Sequence, residues 1–381
     1  MKSYRGEALR FKNKNRIGRL TKKRKNIFQR RKYILVGEKF KISDYGYAGY
    51  IASDISISSK LHNIIKLKPF KDFIFSENDI ISIDDSGAVN FVWECNDRNN
   101  GFLVTEACNS NCIMCPQPPK AHQESLIKHN YQIIKLIDDN YSGDICFTGG
   151  EPTILNNDFL NLVKCTNKKL PSSHISILTN AKRFKNIELA RNLALLGIKK
   201  LLVCVSFHAD VDTIHDKIVG SNGSFRKTQI GLYNLAKFHL PVEIRVVVSK
   251  INYTRLEQIA EYIYRNFPFV CHVTFMALEM TGFAKDNYSE VWVDPYDYRD
   301  ILDKAIHKLH QRKINVSVYN HQLCVLDQKT RPFARRSISA WKNAYMPICE
   351  KCNEIKNCCG FFTTSQEIIS KNILPISYRL N

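Results

Sequence analysis

Three cysteines that follow an apolar run form the part of the sequence with the clearest chemistry. Cys108, Cys112 and Cys115 stand in a C-x3-C-x2-C spacing directly after FLVTEA, residues 102–107. Three thiolates on one short loop can bind three irons of a [4Fe-4S] cluster and leave the fourth iron open to a small molecule. A structural zinc site normally takes four protein ligands. The spacing therefore favours a cluster with one open iron, and the alternatives are zinc with a distant fourth ligand or chance clustering among the 13 cysteines.

The residues around this loop alternate between apolar runs and helix-like stretches. The apolar runs predict six strands, at residues 102–106, 144–149, 174–180, 201–207, 242–248 and 272–278. Their near-continuous Val, Ile, Leu and Phe content suits strands that are covered on both faces. Helical periodicity predicts helices between them, for example over residues 187–197 and 252–267. This alternation predicts an α/β fold with a partial (β/α)6 TIM-like barrel over residues 100–285, in which functional side chains gather at the carboxyl ends of the strands.

Regions of different composition flank the predicted barrel. Residues 33–99 contain short β-like runs, including a hairpin with Gly87 in its turn, and are predicted to form a small β domain. Residues 286–381 begin with a predicted helix and hold five cysteines. Residues 1–32 carry 14 Lys and Arg against one acid with no apolar period, and are predicted to be a flexible basic tail.

The composition of the whole chain limits its class and its partners. Its 381 residues are 44% hydrophobic and 24% charged, which argues against a disordered or fibrous protein. The net charge of +20 indicates an acidic partner such as nucleic acid, lipid headgroups or an acidic peptide, but +13 of it belongs to residues 1–32. The start of the chain does not resemble a signal peptide, and no apolar stretch reaches the about 18–20 residues that span a bilayer. We therefore expect a cytoplasmic protein without a membrane segment, whose clustered cysteines indicate metal or redox chemistry rather than disulfides.

The cysteine loop and a glycine motif together carry a family resemblance. FTGGEPT, at residues 147–153, closes the second predicted strand, and Gly149, Gly150, Glu151 and Pro152 match a GGE(P) motif. With the C-x3-C-x2-C loop after the first strand, this pattern resembles the radical S-adenosylmethionine (SAM) superfamily. The resemblance implies that the open iron binds the amino and carboxylate groups of SAM, and that an electron from the cluster cleaves SAM to methionine and a 5′-deoxyadenosyl radical. That radical abstracts hydrogen from the substrate. The cluster would receive its electron from a flavodoxin-like or ferredoxin-like donor.

The resemblance also implies which residues contact SAM. The glycines of the motif would let the backbone approach the methionine part, and the Glu151 region would accept hydrogen bonds from its ammonium group. Met114 takes a position that is usually aromatic and is expected to pack near the adenine. Asn180 matches the end of the third strand, while Ser206 and Arg245 resemble residues that hold the ribose and carboxylate of SAM.

One position departs from the family pattern. His208 stands where the common S-x-D pattern has an acid, with Asp210 two residues later. At the rim of the barrel His208 is a candidate substrate contact. The alternative is a histidine that is simply hydrogen-bonded by its neighbours.

The C-terminal cysteines resemble the auxiliary-cluster region called SPASM or, in its shortened form, Twitch. A full SPASM region has seven cysteines for two clusters, whereas this region has five. The resemblance implies one auxiliary [4Fe-4S] cluster held by Cys324, Cys349, Cys352 and Cys358. The same four thiolates would also satisfy a tetrahedral zinc ion. Cys359 is either a spare thiol or a ligand in place of Cys324.

Several longer strings make the resemblance finer. TEACNSNCIMCPQPPK, FTGGEPT, NHQLC, SISAWKNAY and CGFF are similar to the radical SAM maturase lettered C of the His-Xaa-Ser peptide system. This implies a precursor peptide with His-Xaa-Ser repeats as substrate, and a sister radical SAM maturase and small system proteins as partners. Two alternatives stay open. One is a radical SAM enzyme acting on tRNA, although the basic tail lies outside every motif and would add little choice of substrate; the other is an iron-sulfur or zinc scaffold that does not cleave SAM.

Overall fold

The structure is a computed structural model that describes residues 2–12, 14–53, 60–120, 126–365 and 367–377. The chain divides into two compact units. The first consists of residues 1–104, 126–146 and 161–175. The second consists of residues 105–125, 147–160 and 176–381.

The first unit is built on a sheet of eight short strands. They are β1 (Ser3–Arg5), β2 (Glu7–Leu9), β3 (Asn15–Thr21), β4 (Tyr33–Gly37), β5 (Gly49–Ala52), β6 (Ile64–Lys66), β7 (Ile80–Asp84) and β8 (Ala88–Trp93). Their order in the sheet is β1-β8-β7-β3-β4-β5-β6-β2. The outermost strands β1 and β2 are joined in the chain by Gly6 alone. Because one extended residue spans only about 3.3–3.6 Å, the two edges must lie side by side, and the sheet closes on itself as a barrel.

Gly6 makes this closure possible. Its N–H donates to the carbonyl oxygen of Gly87 at 2.9 Å, and a Cβ atom on it would lie 2.3 Å from the carbonyl oxygen of Lys66. On either side of Gly6, β1 pairs with β8 and β2 pairs with β6, both antiparallel. A side chain at residue 6 would therefore push one edge of the barrel away from the other.

The prediction of a flexible tail over residues 1–32 is wrong. Residues 3–9 close the barrel, and β3 lies between β7 and β4 with Leu20 fully buried. The first residues of the chain show no regular alternation of apolar and polar residues, because β1 and β2 have three residues each and none of these is fully buried. The predicted β domain over residues 33–99 is therefore incomplete without them.

Side-chain alternation in the strands builds two cores in the first unit. In β4, Ile34 and Val36 belong to a buried cluster with members from β3 to β8, while Leu35 belongs to another cluster. This is the two-residue period of a strand. The predicted hairpin is also confirmed, since β7 and β8 pair antiparallel around Gly87, whose φ is +85°.

The second sheet also has eight strands. They are β9 (Asn99–Leu103), β10 (Asp144–Thr148), β11 (His174–Thr179), β12 (Leu201–Ser206), β13 (Val242–Val247), β14 (His272–Met276), β15 (Val316–Tyr319) and β16 (Ala334–Arg335). They follow one another across the sheet in chain order, and the pairs from β12 to β16 are parallel. The helices are α1 (Ile127–Leu136), α2 (Asn156–Lys169), α3 (Ile187–Ala194), α4 (Asp212–Val219), α5 (Ser224–Lys237), α6 (Leu256–Asn266), α7 (Phe283–Asp286), α8 (Tyr288–Val291) and α9 (Arg299–Gln311).

This sheet confirms the predicted partial βα barrel. All six predicted strands occur, and β15 and β16 extend the sheet beyond residue 285, where the barrel was predicted to end. Close to the C-terminal cysteines, β17 (Asn343–Ala344) and β18 (Phe361–Phe362) form a small antiparallel pair. Among the described helices, none combines the length and apolar character that a bilayer crossing requires.

Candidate iron-sulfur and SAM site

The cysteine loop, residues 108–115, is held in place by the end of a helix. The N–H of Asn111 donates to the carbonyl oxygen of Val219, the last residue of α4, at 3.1 Å. Gly220 ends this helix in the left-handed conformation with φ +57°. A Cβ atom on Gly220 would lie 2.2 Å from the carbonyl oxygen of Asn111. Glycine is therefore required here both for its backbone conformation and for the close approach of the loop.

The two glycines of the GGEP motif lie directly against the main chain that leads into this loop. A Cβ atom on Gly149 would lie 2.3 Å from the carbonyl oxygen of Thr105, and one on Gly150 would lie 2.2 Å from that of Ala107. The N–H of Gly150 donates to Thr105 at 2.8 Å, and the N–H of Glu151 donates to Ala107 at 2.9 Å. The sequence predicted that these glycines admit SAM. The structure shows that they are first required by the protein's own backbone.

The Gly150→Ala variant is therefore expected to displace the entry to the cysteine loop. Its Cβ atom would meet main chain, which yields only if the backbone moves, so we expect a loss of about 1–3 kcal/mol in the free energy of unfolding. Denaturant unfolding and iron content after reconstitution measure the effect. Gly37→Ala is the matched control, because its Cβ atom would first meet the edge of the Phe40 ring at 3.2 Å, a side chain that can yield. Equal losses in the two variants would contradict this reasoning.

The carboxylate of Glu151 joins the ends of β10 and β11. It is 1% exposed and accepts hydrogen bonds from the N–H and hydroxyl of Thr153, the hydroxyl of Thr179 and the N–H of Asn180, at 2.6–3.1 Å. Burial raises the pKa of Glu151, and these hydrogen bonds oppose the shift only in part. Pro152 begins the short 3-10 turn that follows. The Glu151 carboxylate is therefore fully used in hydrogen bonds within the protein.

Residues that follow β11 also hold the cysteine loop. Asn180 Nδ2 donates to Asn109 Oδ1 at 2.7 Å, and the ammonium of Lys182 donates to the carbonyl oxygen of Asn109. Lys182 is only 8% exposed. Burial lowers the pKa of Lys182 below its usual value, and negative charge at Cys108 and Cys112 offsets only part of this shift. Sequence reasoning missed Lys182, because a single lysine after a strand is normally a solvated residue and no spacing marks this one.

The three thiols of the loop are partly buried and close enough to influence one another. Burial raises the pKa of Cys108, Cys112 and Cys115. For Cys112, burial together with the charges of Cys108 and Cys115 raises the pKa to about 12. Their thiolates are therefore favoured only when a metal replaces the protons. In the part of the chain that the structure describes, no three His, Cys, Asp or Glu side chains lie close enough to hold a single metal ion. Three partly buried thiols on one short loop match the donor set of a [4Fe-4S] cluster that keeps one iron open.

Ser206 and Arg245 are brought together on neighbouring strands. They face each other in the parallel register of β12 and β13. Arg245 Nε donates to Glu243 Oε1, and Glu243 Oε2 lies 2.7 Å from His272 Nδ1. Burial raises the pKa of Glu243, but the hydrogen bond with His272 and the charge of Arg245 outweigh it and leave this pKa below its usual value. The structure thus pairs the two predicted SAM residues and adds a buried carboxylate that positions Arg245.

Two other predicted contacts are buried in the structure. Met114 is 5% exposed and packs in a buried cluster with Ile218 and Met280, and its contact with the adenine stays a prediction. His208 is 3% exposed, and its Nδ1 accepts a hydrogen bond from the N–H of Val247 at 3.3 Å. Burial lowers the pKa of His208 to about 3. His208 is therefore a neutral buried imidazole held by its neighbours, and its role as a substrate contact stays a prediction.

The four cysteines predicted for the auxiliary site line one cavity. Cys324, Cys349, Cys352 and Cys358 share it mainly with apolar side chains such as Ile355. The fold therefore brings Cys324 to the later three cysteines, although 24 residues separate Cys324 from Cys349 in the sequence. An apolar wall of this kind suits a buried cluster of iron and sulfide.

Cys359 does not line this cavity. It is 2% exposed, and its Sγ lies 3.0 Å from the carbonyl oxygen of His321. A hydrogen bond from Cys359 lowers the pKa of Cys358 to about 6, although burial of Cys358 opposes the shift. Of the two options for the fourth ligand, the cavity therefore favours Cys324, and Cys359 supports the thiolate beside it.

Comparison with known proteins agrees with this site. Residues 102–263 match the sequence profile of the radical SAM superfamily. An uncharacterized protein of Methanocaldococcus jannaschii is 29% identical over 164 residues, which cover 42% of this chain and 56% of that protein. The sporulation killing factor maturation protein SkfB of Bacillus subtilis is 21% identical over 160 residues, which cover 42% of this chain and 37% of that protein. The match therefore spans about half or less of the length of these relatives.

A solved structure with the same fold is also similar. The structure of anSMEcpe with bound SAM has a TM-score of 0.50 to this chain at 15% identity, and the match covers 73% of this chain and 88% of the other. The matched profile spans the cysteine loop, the GGEP motif and the strands that carry Asn180, Ser206 and Arg245. Residues 102–263 of this chain are therefore similar to the radical SAM superfamily, and the cysteine loop and the GGEP motif both lie inside the matched region.

Proposed function

We propose that the protein is a radical SAM enzyme that modifies or crosslinks side chains of a ribosomally made peptide, and that the substrate is a precursor with His-Xaa-Ser repeats. The observation that carries the enzymatic part is the fixed position of the cysteine loop. The end of α4 holds Asn111, the end of β11 holds Asn109, and the GGEP motif lies against the residues just before the loop. A scaffold that did not bind SAM would need neither this arrangement nor the Ser206 and Arg245 pair.

Within this proposal the chain binds and orients its cofactors. The cluster and SAM together supply a 5′-deoxyadenosyl radical. The thiols of the cysteine loop bind the cluster, and main-chain oxygens of residues 149–152 accept hydrogen bonds from the SAM ammonium. Ser206 and Arg245 hold the ribose and carboxylate. Fully buried side chains of the barrel strands, such as Phe147 and Ile177, exclude water beneath the site.

Two observations support a peptide as substrate. One is the similarity to SkfB, whose name describes the maturation of a killing factor. The other is the set of strings shared with the His-Xaa-Ser maturases. On this basis we also propose a sister radical SAM maturase and small system proteins as partners, and a flavodoxin-like or ferredoxin-like electron donor.

The cavity lined by Cys324, Cys349, Cys352 and Cys358 supports a second [4Fe-4S] cluster in this proposal. Such a cluster would accept the electron left after the substrate radical forms, or ligate the substrate. Zinc is the alternative occupant, because four thiolates also satisfy tetrahedral zinc.

The test uses the full chain, reconstituted anaerobically with iron and sulfide and incubated with dithionite, SAM and a peptide that carries His-Xaa-Ser repeats. We expect 5′-deoxyadenosine and a mass change in the peptide, and no mass change in a control peptide whose His and Ser residues are replaced by Ala. Without 5′-deoxyadenosine the enzyme proposal fails. If 5′-deoxyadenosine forms but the mass change appears in added tRNA instead of the peptide, the substrate proposal fails and the tRNA alternative holds.

A further inference from the structure

A large cleft opens in the first unit, separate from the residues of the SAM site. Its volume is about 1110 Å³, and its walls come from the start of β3, the loop before β5 and the end of α1. Pockets for small molecules have volumes of about 300–1,000 Å³. The cleft therefore suits a segment of a polymer better than a single metabolite.

The cleft is strongly basic. Among the residues that the structure describes, no Asp or Glu lines the cleft. Six basic residues line it, namely Lys12, Arg16, Arg31, Lys32, Lys60 and Lys135. Part of the basic charge of residues 1–32 is therefore concentrated on one concave surface, where low-dielectric walls strengthen its attraction for anions.

The tyrosines of the cleft favour a peptide over a nucleic acid. Tyr47 and Tyr50 are 6% and 2% exposed, and their hydroxyls are used inside the unit, by the N–H of Lys25 and the carbonyl oxygen of Asp44, both at 2.7 Å. Only Tyr45, at 53% exposure, offers a ring to a ligand. Proteins that bind single-stranded nucleic acids stack successive bases on successive aromatic rings. This cleft has cationic groups for anions but no such row of rings.

We propose that this basic cleft binds an acidic segment of the peptide substrate. The inference rests on the proposed function, since it takes a peptide as the substrate. Aspartate and glutamate side chains of the segment pair with the guanidinium and ammonium groups of the cleft through charge-assisted hydrogen bonds. Because all of these residues except the partly buried Arg16 are exposed, the affinity falls as salt rises. The cleft thereby recognises a part of the substrate other than the residues that are modified.

The experiment measures binding of a fluorescently labelled peptide of alternating Glu and Ser to the reconstituted full chain, by anisotropy across a salt series. Arg31 and Lys32 are exposed residues of the cleft, and the double variant R31E/K32E is expected to bind at least about tenfold more weakly. Lys164 and Lys168 are exposed on α2 outside the cleft, so K164E/K168E makes the same charge change and is expected to alter affinity by no more than about twofold. The charge-preserving variant R31K/K32R should retain affinity, and R31A/K32A provides a milder loss if the reversed pair fails to fold.

Three results would overturn the inference. One is the absence of binding to the unmodified chain at low salt, and another is an equal loss in both charge-reversed pairs. The third is binding of a single-stranded RNA probe that is lost when Arg31 and Lys32 are replaced, while the acidic peptide does not bind. The assay needs neither SAM nor reductant. If the chain binds the acidic peptide but forms no 5′-deoxyadenosine, the proposed enzyme activity is contradicted and the proposed peptide binding by the cleft is not.

Discussion

The Cys112→Ala variant is expected to form no 5′-deoxyadenosine above the protein-free background when it is reconstituted and incubated with SAM and dithionite. Cys112 is the middle thiol of the cysteine loop, and the charges of Cys108 and Cys115 both act on it. Without it, two thiolates remain for three irons, and an incompletely ligated cluster is lost or cannot present one open iron. Product quantification by chromatography and the iron content of the reconstituted protein measure the two effects.

Cys165→Ala is the matched control for this variant. Cys165 lies on α2, is partly buried and belongs to neither cysteine group. It should keep the iron content and the activity of the unmodified chain. If the Cys112 variant formed 5′-deoxyadenosine at the rate of this control, the assignment of the loop as the cluster site would be incorrect.

Replacing Cys352 by alanine is expected to remove the auxiliary cluster and leave the SAM-cleaving cluster in place. Cys352 lines the auxiliary cavity, and its Sγ accepts a hydrogen bond from the N–H of Ile376 at 3.3 Å. With one ligand removed, the auxiliary cluster is lost and the reconstituted protein should hold about half of the iron of the unmodified chain, because two [4Fe-4S] clusters contribute equally. SAM cleavage should continue, whereas the mass change of the peptide should disappear.

Cys271→Ala serves as the control, because Cys271 is exposed and does not line the cavity. It should retain the full iron content. Metal analysis of the unmodified chain adds an independent check. Zinc in place of the second set of irons would contradict an auxiliary cluster and support the zinc alternative.

The partial barrel and the cysteine loop could be predicted from the sequence because their signals are local. Each barrel strand is a short run of Val, Ile, Leu and Phe, and Cys108, Cys112 and Cys115 lie within eight residues of one another. Cys324 could be grouped with the later cysteines only through family resemblance, since its distance in sequence carries no geometric information.

The contacts that hold the loop could not be predicted, because each depends on segments far apart in sequence. Lys182 reaches Asn109 across 73 residues, and the side chain of Glu151 reaches Thr179 across 28. The burial of His208 also depends on its packing against His215 on α4. Residue type and position at the rim predict a substrate contact, but they do not predict that His208 is buried, because its burial comes from tertiary packing.

The closing strand of the N-terminal barrel has a consequence for the order in which the protein folds. Residues 3–9 leave the ribosome before every strand with which they pair, and Ser3 is in register with Asn90. β2 can pair with β6 before β8 exists, but Ser3–Arg5 have no partner strand until β8 has been synthesised, so the barrel closes only then. Unpaired edges of this kind promote association between chains. Folding of the first unit should thus be slow to complete, with its last contact made between the earliest and the latest strands of its sheet.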